Sequence, residues 1–236
     1  MNNILDKSLD SQFDKIENLT WFPWVGKGYK CAKRKLLVVG ESHYLNEDSD
    51  ENNEKRRELL IRDKEHTRNC LYEVLINKSW SSKTYSNIME ALCDRGILSD
   101  NKTALSEIAY YNFIQRQMDY SKDSKERPNI DDYKIAWKCF LHIIDILQPT
   151  DCIFVGVESV TLFEEIMDKY GVQYTGIDVL EKLSDAYPKK TSIRLDSKNN
   201  INIIFIKHSS CYFSPGKWHD FLKQQIPEAI EWLNRV

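Results

Sequence analysis

Apolar residues along the chain follow two periodicities. Four short stretches read as buried strands: Lys35 to Gly40 (KLLVVG), Ile108 to Phe113 (IAYYNF), Asp151 to Gly156 (DCIFVG) and Ile201 to Lys207 (INIIFIK). The first, third and fourth are nearly continuous apolar runs, the pattern of strands covered by helices on both faces of a largely parallel sheet. Between them apolar residues recur at three- and four-residue steps. Asp131 to Leu147 is the clearest case. Tyr133, Ala136, Trp137, Phe140, Ile144 and Leu147 share a face, Asp131 and Asp132 supply N-terminal charge, and Pro149 stops the helix. Lys55 to Ile76, Tyr85 to Arg95, Val160 to Tyr170 and Trp218 to Asn234 also read as helices. Strands alternating with helices predict an α/β protein. The expected form is a three-layer α/β/α arrangement around a mainly parallel, four-stranded central sheet. Asn46 to Glu54 (NEDSDENNE) reads as a mobile loop, and Asp185 to Asn200 as a polar surface excursion. With no internal repeat or linker, residues 1–236 are expected to form a single domain.

In sheets of this kind ligands bind beyond the carboxyl ends of the strands. Those ends carry Gly40-Glu41-Ser42-His43-Tyr44, Asn112, Val157 to Ser159, and His208-Ser209-Ser210. The first is a tight turn offering a carboxylate, a hydroxyl, an imidazole and a phenol. Asn112 interrupts an apolar strand, where its amide needs both donor and acceptor partners. Each has a structural alternative: Glu41 as a carboxylate on a solvated turn, Asn112 as an amide bridging two loops, His208 as a satisfied core histidine. Three such groups on one sheet edge predict a pocket. His66, His142 and His219 fall on helical stretches and read as structural or surface residues.

Composition changes this picture little. Of 236 residues, 29% are charged and 42% hydrophobic, and the net charge of −3 argues against a uniformly basic nucleic-acid coat while leaving room for a local basic face. No apolar run reaches the roughly 18 to 20 residues that cross a bilayer. Met1 to Asp14 is polar and unlike a signal peptide, so the expected compartment is the cytoplasm. The six cysteines include no C-x-x-C pair. They read as reduced thiols, with no iron–sulfur cluster, no structural zinc and no other cofactor expected.

The order of these elements resembles the uracil-DNA glycosylase superfamily. In that family a G-Q/E-x-P-type turn follows the first strand, an asparagine ends the second, and an H-P-S-type segment follows the last. Here they are G-E-S-H-Y at 40–44, Y-N-F at 111–113 and H-S-S at 208–210. R-P at 127–128, L-Q-P at 147–149 and I-F-V-G-V-E-S at 153–159 resemble the family's middle region, and the likeness spans about Lys35 to Trp218. Several positions depart from the family. Ser42 stands where a water-activating aspartate is usual, Ser209 replaces the proline of the last motif, and an insertion covers about residues 45–83, after an N-terminal extension of about 1–34. Glu41 matches the glutamate of the thermostable branch, without that branch's four clustered cysteines.

The resemblance implies a monomeric enzyme that hydrolyses the N-glycosidic bond of a base flipped out of DNA. His208 would stabilise the departing base, and Glu41 would orient water and oppose the cationic sugar, with Ser42 beside it. Asn112 would read the base edge, Tyr44 would screen the pyrimidine's 5-position, and His43 would line the same turn. Ser209 and Ser210 would bind a flanking phosphate, and Phe213, with Tyr212 as second choice, would fill the vacated stack. Trp80 or Tyr85 would stack on the flipped base, and Arg127, Lys207 and Lys217 would form a basic rim. The substrate would be uracil or a bulkier pyrimidine such as a modified cytosine of phage DNA, the latter implying a role in defence. A non-enzymatic nucleic-acid-binding module and a nucleoside hydrolase are the competing readings. Loss of aspartate at 42 favours the module, and Glu41, Asn112 and His208 together favour the enzyme.

Overall fold

Strands whose side chains are apolar on both sides must be covered on both sides, and all four runs read above lie inside the sheet. The structure, a computed structural model, describes residues 1, 3–46, 50–93, 101–120, 125–195 and 199–235. The strands are β1 (Trp24–Val25), β2 (Leu36–Gly40), β3 (His43–Asn46), β4 (Ala109–Asn112), β5 (Gln117–Tyr120), β6 (Asp151–Val155), β7 (Gln173–Tyr174), β8 (Asp178–Val179), β9 (Lys189–Leu195) and β10 (Asn199–Ile206). The helices are α1 (Asp10–Phe13), α2 (Asp50–Arg62), α3 (His66–Tyr72), α4 (Lys83–Leu92), α5 (Asn101–Glu107), α6 (Ile130–Leu147), α7 (Phe163–Tyr170), α8 (Pro215–Gln225) and α9 (Pro227–Leu233).

The order across the main sheet is β1-β4-β2-β6-β10-β9-β7, with β8 also paired to β9. The central strands β4, β2, β6 and β10 are mutually parallel, with Val38 level with both Tyr110 and Ile153. The expectation of a four-stranded sheet is corrected to eight strands. Antiparallel β1 extends one edge, and β9 with β7 and β8 extends the other. β9 falls inside the stretch expected to be a surface excursion. It pairs with β10 from Phe205↔Lys189 to Asn199↔Leu195. A separate pair, β3 with β5, runs parallel beyond the sheet.

Alternate residues feed two cores. Leu36, Val38, Tyr110, Ile153, Ile204 and Ile206 pack with α4, α8 and α9 on one face. Leu37, Val39, Tyr111, Phe154 and Phe205 pack with α6 and α7 on the other. Trp137 of α6 is fully buried and meets Phe113, Phe154 and Phe163 with ring centroids 4.9 to 5.3 Å apart. Asp131 and Asp132, expected to cap α6, lie inside its first turn, and the cap is Asn129, two residues before Asp131. Its side chain accepts from the Asp131 and Asp132 amides while the Asp132 carboxylate accepts from the Asn129 amide.

Other expectations shift at their boundaries. The helix expected over 55–76 begins at Asp50 and breaks at 63–65 into α2 and α3, the latter followed by a π-helical turn, Glu73–Asn77. Asp50 to Glu54 are therefore helical rather than loop, while 47–49 lie outside the described residues. Pro227 divides the C-terminal helix, since its ring cannot continue the hydrogen-bond ladder but suits a first turn. The end expected for the helix over 85–95 falls on residues 94 and 95, which are not described. The N-terminal segment is part of the fold: Phe13, Trp21 and Trp24 are fully buried. No described helix is long and apolar enough to cross a membrane.

Candidate functional site

β2 ends at Gly40, and the absence of a side chain there is required. A Cβ on Gly40 would lie 2.1 Å from Tyr110 Oη and 2.3 Å from Asn112 Oδ1. Asn112, level with Gly40 on neighbouring β4, is buried, and its Oδ1 accepts from Tyr110 Oη at 3.2 Å. Its Nδ2 is buried beside the Tyr85 phenol and closes no hydrogen bond of normal geometry. A buried unmet donor costs about 1–3 kcal/mol, which a ligand carbonyl would recover.

Glu41 follows immediately. Its backbone carbonyl accepts from Ile114, locking the turn against the end of β4. The carboxylate is nearly buried. Oε2 accepts from Tyr44 Oη at 3.2 Å, Lys125 Nζ lies 3.5 Å from Oε2, and Arg127 lies 3.9 Å from Oε1. The Glu126 carbonyl, 3.4 Å from Tyr44 Oη, is the alternative acceptor for the same proton, and Lys125 stands 4.0 Å from the centre of the Tyr44 ring. Burial, reinforced by the Glu41 charge, pushes the Tyr44 phenol up to about 12. It therefore remains a donor at neutral pH.

His208 reaches the same carboxylate from the end of β10, two strands away. Gly156 follows intervening β6 at φ 149°. His208 Nε2 is 3.8 Å from Glu41 Oε2, too far for a closed hydrogen bond. Its Nδ1 takes the Ser210 amide at 3.3 Å and lies 2.8 Å from Ser210 Oγ. A backbone N–H can only donate, so Nδ1 offers a lone pair and the ring proton sits on Nε2, facing Glu41. Burial pushes the His208 pKa down. Lys125 and Arg127 push the same way, and the Glu41 charge opposes them. The neutral ring is the form set by its surroundings.

Other residues expected at the site are distributed differently. Ser42 is half-buried between Glu41 and His43, and its hydroxyl makes no hydrogen bond. His43 points away from Glu41: alternation along β3 puts Tyr44 beside the carboxylate and His43 against Thr67, Trp21 and His66. Its placement on the pocket wall is corrected accordingly. Ser209 is fully buried, with Oγ donating to the Thr84 carbonyl and its own carbonyl accepting from Asn87. It anchors α4 and is closed to a phosphate. Phe213 is buried and stacked on Trp218 at 5.5 Å, so it is a core residue rather than a wedge. Tyr212 is the projecting ring, 92% exposed and held at φ 51°.

Tyr85 is buried and Trp80 is exposed. Arg127 stands at the rim. Lys207 is paired with Asp185, and Lys217 lines a separate open groove of about 400 Å3 with Lys182, Leu183 and Phe221. Lys125 was not singled out in the sequence. It sits in a run of polar residues without periodicity, and only the fold brings it to Glu41. No family model matches the chain, and no curated protein matches it.

Proposed function

We propose that the protein is a DNA glycosylase of the uracil-DNA glycosylase type, acting on a uracil or modified pyrimidine base flipped out of DNA. The observation that carries this reading is the Glu41 carboxylate and the neutral, Nε2-protonated His208 held side by side, 3.8 Å apart, at the sheet's carboxyl edge. N-glycoside cleavage develops positive charge on the sugar and negative charge on the leaving base, so it needs an acceptor toward the sugar and a donor toward the base, and at 3.8 Å the two side chains would meet the breaking bond side by side. His208 Nε2–H supplies the donor for the base. Because Nδ1 is held by Ser210, the imidazole needs no reorientation as charge develops. Glu41 supplies the charge that opposes the sugar and the acceptor that orients water.

The unmet Nδ2 donor of Asn112, with Oδ1 fixed by Tyr110, suits recognition of a base carbonyl. Tyr44 would limit space at the 5-position. Tyr212 takes the wedge role in place of Phe213, since an exposed ring can enter the stack. Lys125 and Arg127 fit a rim that attracts phosphate. The experiment is base release from oligonucleotides carrying uracil, hypoxanthine, hydroxymethylcytosine or its glucosylated form, with alkali to reveal abasic sites.

One observation favours a second reading, a DNA-binding module without catalysis. Glu41 is surrounded by Lys125, Arg127 and Tyr44, and Ser42 offers no second carboxylate. Specific binding without base release, unaffected by removal of the Glu41 charge, would identify it.

A further inference from the structure

On the side of β3 away from Glu41, His43 meets two residues of α3. We propose that His43, His66 and Cys70 form a binding site for a transition-metal ion, with Zn2+ as the ion. One donor atom from each lies within 4.8 Å of the other two. His66 and Cys70 are four residues apart on α3 and share a face, with Cys70 Sγ 3.8 Å from His66 Nε2. The two imidazole centroids are 4.4 Å apart. Tetrahedral zinc, with bonds of about 2.0–2.1 Å to nitrogen and about 2.3 Å to sulfur, sets its donors roughly 3.3–3.7 Å apart. Closing the cluster onto an ion therefore takes about 1 Å of side-chain adjustment.

The chemistry of the donors agrees. Two nitrogens and one sulfur are a borderline-soft set, suited to zinc rather than to magnesium or calcium. An imidazole binds an ion through the lone pair of its neutral form, and a cysteine through its thiolate. The Cys70 thiol gives up its proton to solvent as its Zn–S bond forms. Thr67 Oγ1 lies 2.8 Å from His43 Nε2. In the tautomer whose Nε2–H donates to Thr67, Nδ1 is left for the ion, an arrangement metal-bound histidines commonly adopt. Trp21 walls the cluster edge-on at 4.8 Å from His43. His43 is buried, whereas His66 and Cys70 are partly exposed, which leaves a route for entry. Asp63 lies near both His66 and Cys70, but its oxygens accept from the Glu65 amide and the Asn69 amide group, so a fourth ligand would come from solvent.

Absence of paired cysteines argued against zinc, but the H-x-x-x-C spacing on α3 and a histidine from a distant strand need only one. The ion would tie α3 to β3, two residues beyond Glu41. This proposal stands apart from any reaction at Glu41 and His208.

The test uses the full chain with exposed Cys31 and Cys211 replaced by serine, stripped of metal. Titrated with Co2+, it should bind one equivalent, with the visible bands of tetrahedral cobalt and a thiolate-to-cobalt charge-transfer band that Zn2+ abolishes. Zn2+ at a hundred-fold excess over Kd should raise the Tm by about 5–10 °C. Cys70→Ala and His66→Ala should lose both signals while melting like the metal-free parent. Should either fail to fold, the near-isosteric Cys70→Ser carries the test through loss of the charge-transfer band. A folded parent that shows no charge-transfer band at one equivalent of Co2+ would overturn the site. So would a Zn2+-induced shift that survives in Cys70→Ala.

Discussion

Gly40 has no room for a side chain. An alanine methyl would press on the Tyr110 hydroxyl and the Asn112 carbonyl oxygen, and the Tyr110 ring is buried and cannot swing aside. Gly40→Ala is expected to cost about 1–3 kcal/mol in chemical denaturation and to weaken discrimination among bases by displacing Asn112. His208 gives a pH signature. The neutral ring accepts at Nδ1 from Ser210 and donates at Nε2, whereas protonation puts a second proton against the Ser210 amide. Activity should therefore be full at neutral pH and fall as pH drops through a value below the ordinary 6.5. His208→Gln should slow base release by about 10² or more and remove this inflection from the pH–rate profile. An unchanged profile would mean another group titrates. At this scale Glu41, Asn112 and His208 were legible because each is a polar residue at or near the carboxyl end of an apolar strand. Lys125 was not, because a lysine in a polar stretch carries no sign of where the chain will fold it.

Tyr212 and Phe213 show how an element assigns roles that composition leaves open. Both are aromatics just after the last strand, and the turn into α8 sends one outward and the other onto Trp218. Tyr212→Ala should therefore reduce action on duplex DNA far more than on single strands and leave the Tm almost unchanged. Phe213→Ala should instead cost about 3–5 kcal/mol of stability in denaturant titration, with equal losses on both substrates. The strands β2, β6 and β10 could be read from their apolar runs, which central positions demand. β9 could not: it is half-exposed, and its alternation in KKTSIRL is broken by lysines and an arginine. Two-residue strands such as β1 and β7 are shorter than any period. The break between α2 and α3 was also hidden, because Asp63, Lys64 and Glu65 are individually acceptable in a helix.

For the whole molecule, the N-terminal segment is the least expected contributor. Read as an extension of about 1–34, it supplies β1 and the buried rings of Phe13, Trp21 and Trp24. Removing residues 1–34 should prevent cooperative folding, measured as loss of a sigmoidal thermal transition, whereas a dispensable tail would leave the Tm within a few degrees. The parallel centre of the sheet brings strand ends far apart in sequence, Glu41 and His208, to 3.8 Å. That juxtaposition followed from the strand-end rule, while the outward turn of His43 followed from alternation in a short strand the sequence did not mark. The most direct test of the proposed chemistry is base release by wild-type, Glu41→Gln and His208→Ala proteins, measured as alkali-labile sites on duplexes carrying uracil, hypoxanthine, hydroxymethylcytosine or glucosylated hydroxymethylcytosine. Wild-type protein is expected to release at least one pyrimidine base, with both variants slower and His208→Ala reduced by about 10² or more at nearly unchanged DNA affinity. Contradiction would be wild-type protein that releases no base from any of the four while binding the duplexes as tightly as the variants.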